Sequence, residues 1–180
     1  LVGYRMLIKS EVMNVLRWIG DSGNRRRAVP PTETQPFVPF LGARVPVISP
    51  AELQGSAFTE AHLRGCQPVG YRATSAIAVE TKRQLAAGEK LVYAYYGYVD
   101  KTAHERGFGD FYEAELRAAD GIVADIAEIL PPGATLLVTA DHGQVDVGDN
   151  IVHPDPQLLE RVSLQSGEGR FRWWHTTGNV

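Results

Sequence analysis

A helical hydrophobic period set between two short apolar runs constrains this chain more than any other feature. Ala119, Ile122, Val123, Ile126 and Leu130 recur at helical spacing, with Glu115, Arg117, Asp120 and Asp125 between them. That pattern predicts an amphipathic helix over 110–130. Asp110 followed by Glu113 has the spacing of a capping box at its start, and Pro131-Pro132-Gly133 stops it. Upstream, Lys90-Leu91-Val92-Tyr93-Ala94-Tyr95-Tyr96, bounded by Gly88 and Gly97, reads as a buried strand. Downstream, Thr135-Leu136-Leu137-Val138-Thr139 is almost wholly apolar, the pattern of a strand covered on both faces. Strand, helix, strand is a crossover unit that joins parallel strands, so the fold class is α/β.

The rest of the chain is less regular. Residues 20–50 carry Pro30, Pro31, Pro36, Pro39, Pro46 and Pro50 and read as a long excursion, because proline removes backbone donors. Within it Arg44-Val45-Pro46-Val47-Ile48 is expected as an edge strand. A second helix is expected over 73–87, with Gly88 as its stop. The 180 residues, 44% of them hydrophobic, suffice for one real core. No run approaches the roughly 18 apolar residues of a membrane span. A net charge of −3 excludes a broad basic face for a nucleic-acid polymer. A single cysteine, Cys66, excludes disulfide scaffolds and thiolate zinc cages, so any metal must be held by Asp, Glu and His. A cytoplasmic setting is the expectation.

Both apolar runs lead into an acidic residue and an imidazole. The first reaches Asp100 and His104; the second runs directly into Ala140-Asp141-His142-Gly143. In open α/β sheets the ligand crevice lies at the carboxyl ends of the strands. If the two strands are neighbours, about 5 Å apart, or are separated by one further strand, all four side chains can reach one pocket. Asp100 and His104 would share a face if their segment makes a helical turn. Carboxylate oxygen with imidazole nitrogen suits zinc or manganese.

The segment Tyr95-Tyr96-Gly97-Tyr98-Val99-Asp100-Lys101-Thr102-Ala103-His104-Glu105-Arg106-Gly107 resembles the Asp-x-x-x-His-x-x-Gly of the type I phosphodiesterase and nucleotide pyrophosphatase branch of the alkaline phosphatase superfamily. Thr139-Ala140-Asp141-His142-Gly143 is similar to the branch's second motif, and the likeness spans about residues 90–148. It implies an alkaline-phosphatase-like, mostly parallel sheet flanked by helices, incomplete in this chain, with residues 89–148 as its metal-ligand core. The implied activity is hydrolysis of a phosphodiester or pyrophosphate bond in a small phosphate ester, such as a nucleotide, through a covalent phospho-enzyme. By the same resemblance Asp100 and His104 look like ligands of one divalent ion, joined in the family by a later His. Asp141 and His142 look like ligands of a second ion, completed by an early Asp and by the catalytic Thr or Ser. Zinc is the expected metal and manganese the alternative; two such ions about 4 Å apart clamp phosphoryl oxygens.

Departures from the family pattern keep other readings open. No Thr or Ser upstream of Asp100 aligns with the nucleophile. The stretch from Leu1 to Tyr4 resembles the family's segment shortly after the nucleophile, with Gly3 and Tyr4 where many nucleotide pyrophosphatases have Asn. Residues 1–180 are therefore expected to be a single partial catalytic domain, inactive alone, with the nucleophile outside it. A phosphomonoesterase, a phosphonate hydrolase, a phosphomutase and a non-catalytic metal-binding fragment are the alternatives. His153 and His175 are the candidates for the late His, against plainer readings as loop and packing residues. Arg25-Arg26-Arg27 reads as solvated charge, Tyr93, Tyr95, Tyr96 and Tyr98 as strand packing, Cys66 as a small buried residue, and Asp146 and Asp149 as turn residues.

Overall fold

The computed structural model describes residues 4–176. Leu1 to Gly3, within the stretch compared above with the segment after the nucleophile, and residues 177–180 lie outside the described residues. In chain order the elements begin with β1 (Arg5–Ile8), β2 (Glu11–Asn14), β3 (Ile19–Gly20), β4 (Gly23–Asn24) and α1 (Pro31–Thr34). Next come β5 (Pro46–Pro50), α2 (Ala57–Leu63), β6 (Gln67–Tyr71), α3 (Ala76–Ala86) and β7 (Tyr93–Ala94). The chain continues with α4 (Tyr98–Arg106), α5 (Asp110–Ile129), α6 (Pro156–Leu159), β8 (Val162–Gly167) and β9 (Arg172–Thr176). They fall into two compact units, one drawn from 38–55 and 63–146, the other from 1–37, 56–62 and 147–180.

The first unit holds a parallel sheet in the order β6-β5-β7. β5 pairs with β6 from Pro46 opposite Gln67 to Pro50 opposite Tyr71, and with β7 at Val47 opposite Tyr93 and Ile48 opposite Ala94. The expected edge strand is thus the central one, and all five of its residues are buried. Its prolines stand at the two ends, so Val47, Ile48 and Ser49 keep their donors for ladders on both sides. Ile48, Tyr71, Ile77 and Ile126 form the core, with Ile122, Val69, Tyr96 and Tyr98 packed against it.

Both expected helices form. α3 ends before Gly88, whose φ of +92° only glycine adopts without strain. α5 matches the apolar period closely, but no capping box exists: Gly109 is the cap, Asp110 lies inside the first turn, and no side chain caps it. There the Asp110 carboxylate still meets the positive end of the helix dipole. The expected strand over 90–96 shrinks to Tyr93–Ala94. The apolar run 135–139 forms no strand; Leu136 packs on the core while Leu137 and Val138 are 82% and 62% exposed. The parallel pairing expected for that run is made instead by β5, β6 and β7, with α3 as a crossover helix.

The second unit is an antiparallel sheet in the order β4-β3-β2-β1-β8-β9, a part of the α/β fold that the sequence did not announce. Its core is Met13, Trp18, Val29 and Ala61, and the Trp18 indole donates to the Val29 carbonyl at 2.7 Å. In the arginine run Arg26 and Arg27 are exposed, as expected, while Arg25 is half-buried and meets Glu11 at 2.7 Å; Arg26 also pairs with Glu60. No helix among the described residues is long and apolar enough to cross a membrane.

Candidate active site

The first candidate pair is set up by the carboxyl end of the parallel sheet. Past β7 the Tyr95 amide donates to the Ile48 carbonyl at 2.8 Å, and the Tyr71 hydroxyl donates to the Tyr95 carbonyl at 3.1 Å. The Tyr95 ring then folds back over Gly97, where an added Cβ would stand 2.5 Å from the phenol oxygen. Gly97 leads straight into α4, so the chain turns from strand to helix within three residues. Asp100 sits in the first turn of α4 and His104 one turn on, with His104 Nε2 3.5 Å from Asp100 Oδ1. The shared helical face is realised, and both side chains reach solvent.

The second pair lies in an irregular segment after the run 135–139. The His142 amide donates to Asp141 Oδ1 at 3.0 Å, and His142 Nε2 stands 3.6 Å from Asp141 Oδ2. His142 Nδ1 is 3.0 Å from the Gly143 carbonyl oxygen. A carbonyl only accepts, so the contact is made with the proton on Nδ1. That tautomer leaves the Nε2 lone pair for a cation, which is how imidazole ligands are usually oriented.

Two observations bring the pairs into one neighbourhood. Gln144, two residues beyond His142, donates from Nε2 to Asp100 Oδ1 at 2.8 Å across 44 positions. The Tyr95 hydroxyl is held above its ordinary pKa by burial first, and then by the negative charges of Asp100 and Asp141 together. One phenol therefore senses both carboxylates, although strand packing was the expected role of Tyr95. Tyr96 and Tyr98 do pack against the core, and the Tyr96 hydroxyl donates to Glu115. Neither Gln144 nor the placement of Tyr95 had a signal in the sequence, since each depends on contacts across the fold.

Among the described residues no three Asp, Glu, His or Cys side chains gather closely enough to hold a metal between them. The donor chemistry nevertheless fits divalent cations: each pair offers carboxylate oxygen and imidazole nitrogen, and Gln144 Oε1 is buried there without a hydrogen-bond partner. His153 and His175 both belong to the antiparallel unit. His153 is exposed in an irregular stretch, and His175 on β9 has Nε2 2.9 Å from the Ser166 hydroxyl. Cys66 is half-buried rather than buried, and burial pushes its thiol pKa up.

The family described as type I phosphodiesterase / nucleotide pyrophosphatase matches this chain over residues 27–176, a span that contains every residue of both pairs. The chain belongs to that family. No curated protein and no solved structure matches it. As a type I phosphodiesterase family member it falls among the phosphoric ester hydrolases, and its mixed α/β architecture, with three parallel strands beside helices, agrees with a partial alkaline-phosphatase-like fold.

Proposed function

We propose that this chain contributes the cation-binding half of a site that hydrolyses a phosphodiester or pyrophosphate bond in a small phosphate ester, with nucleotides the leading substrate class. Asp100 and His104 hold one divalent ion, and Asp141 and His142 hold the second, with zinc favoured over manganese by the mixed oxygen and imidazole donors. When bound, such ions supply positive charge to the phosphoryl oxygens of substrate and transition state. Asp100 and His104 are spaced along one helical face, so a single ion can take a ligand from each. His142 presents Nε2 because Nδ1 is engaged by the Gly143 carbonyl. The Tyr95 hydroxyl, held above its ordinary pKa by burial first and then by the charges of Asp100 and Asp141, keeps its proton at neutral pH. A serine or threonine hydroxyl forms a bond to phosphorus as the bond to the ester oxygen breaks, with the hydroxyl proton ending on the departing oxygen; water then cleaves the covalent phospho-enzyme, restoring the hydroxyl and releasing the phosphoryl group.

The observation that carries this reading is the Gln144 hydrogen bond to Asp100, which ties the segment of Asp141 and His142 to helix α4. Replacing Asp141 by Asn in the complete protein, nucleophile included, tests it. Asp141→Asn should remove one equivalent of bound zinc and lower hydrolysis of an aryl phosphodiester by more than ~100-fold, since even supporting residues around a metal cost 10–100-fold. Unchanged zinc content together with unchanged hydrolysis refutes the assignment.

A further inference from the structure

We propose that Gln144 is a positioning residue that orients the Asp100 carboxylate and fixes the spacing between the two cation sites. The inference rests on the reading of Asp100, His104, Asp141 and His142 as ligands. Gln144 Nε2 lies 2.8 Å from Asp100 Oδ1, and His104 Nε2 approaches the same oxygen at 3.5 Å. Both contacts fall on Oδ1, which leaves Oδ2 as the oxygen for an ion. The donor is a neutral amide. A lysine or arginine in its place would hold the carboxylate equally well but would compete with the cation for its charge.

The other end of the side chain points the same way. Gln144 Oε1 is buried without a hydrogen-bond partner, an unfavourable placement for an amide oxygen. The residue lies in an irregular segment between exposed Gly143 and exposed Val145, where a glutamine unconnected to Asp100 would turn into water. Its amide stays inside because Asp100 accepts from it. Asp141 and His142 stand only three and two positions earlier, so the same bond ties the second pair to helix α4.

Zinc titration of the full chain against a competing chelator, with far-ultraviolet circular dichroism on the metal-free proteins, tests the assignment. Gln144→Met removes the donor at similar volume, and Gln144→Asn withdraws the amide by one methylene; the second variant serves if the first fails to fold. Wild type should bind zinc, and both variants should stay folded without metal and bind the same number of ions with the Asp100 site weakened ~10–100-fold. Unaltered affinity in a folded variant overturns the role of Gln144 and leaves the cation sites standing. Absence of zinc binding by the wild type overturns both. A variant whose metal-free melting temperature falls while its affinity holds shows a merely structural role and overturns the proposal as well.

Discussion

Tyr71 shows how a single buried hydroxyl links core stability to the placement of the site. Only 2% of its surface is exposed, and its hydroxyl donates to the Tyr95 carbonyl at the point where the chain leaves β7. Burial, with smaller contributions from Tyr98, Glu52 and Tyr95, pushes its pKa from 10.0 up to about 12. A group whose folded pKa is raised contributes stability that is fully present below the unfolded value and lost as pH climbs through the folded one. Stability should therefore fall between pH 10 and about 12, with Tyr95 and Tyr96, also raised, adding to the decline. Tyr71→Phe should lower stability at neutral pH by about 1 kcal/mol through the lost hydrogen bond, yet make the alkaline decline shallower. Denaturant melts at pH 8 and pH 11 check both signs, and an unchanged alkaline slope would contradict the account. Asp141 and His142 stood out in the sequence as candidates because an acid and an imidazole directly after an apolar run have no packing purpose, and Asp100 and His104 because their spacing lets them share a helical face. Gln144 and Tyr95 did not, because a neutral amide or a phenol acquires meaning only from what it touches.

At the scale of the elements, local chemistry explains both the successes and the failures of the sequence. α5 was legible because a helix over 110–129 repeats its apolar face several times, whereas a two-residue strand such as β7 offers no period to detect. The run 135–139 has strand composition but no ladder partner among the described residues, and Leu137 and Val138 stay in solvent. β5 was read as an edge because of its prolines, although only their terminal positions matter. The β1–β2 hairpin was missed because its turn breaks the usual code. Ile8 pairs with Glu11, so Lys9 and Ser10 form a two-residue loop with φ of +50° and +70°. Such primed turns favour Asn-Gly, and the double change Lys9→Asn with Ser10→Gly should stabilise the chain by about 0.5–1 kcal/mol. A rise in the urea midpoint at unchanged slope is the expected reading; no rise would mean that the loop is not strained.

For the molecule as a whole, the α/β class followed from pattern, while the antiparallel sheet did not. Its β1 meets β8 through Arg5 opposite Gly167, a pairing between distant parts of the chain that no local window contains. The parallel unit is a different case. Its strands are short, but they deliver Tyr95, Gly97 and α4 to one end of the sheet, and the hydrogen bond from Gln144 brings the Asp141 segment to the same place. Under the proposed function that convergence serves the phosphoric ester hydrolysis of the type I phosphodiesterase family, to which the chain belongs. The account depends on two acid and imidazole pairs serving adjacent cations. Diffraction from zinc-loaded crystals of the full chain, recorded on both sides of the zinc absorption edge, tests this most directly. The account predicts two anomalous peaks about 4 Å apart, one within bonding distance of Asp100 and His104 and the other of Asp141 and His142; peaks far from one another, or zinc bound to neither pair, would contradict it.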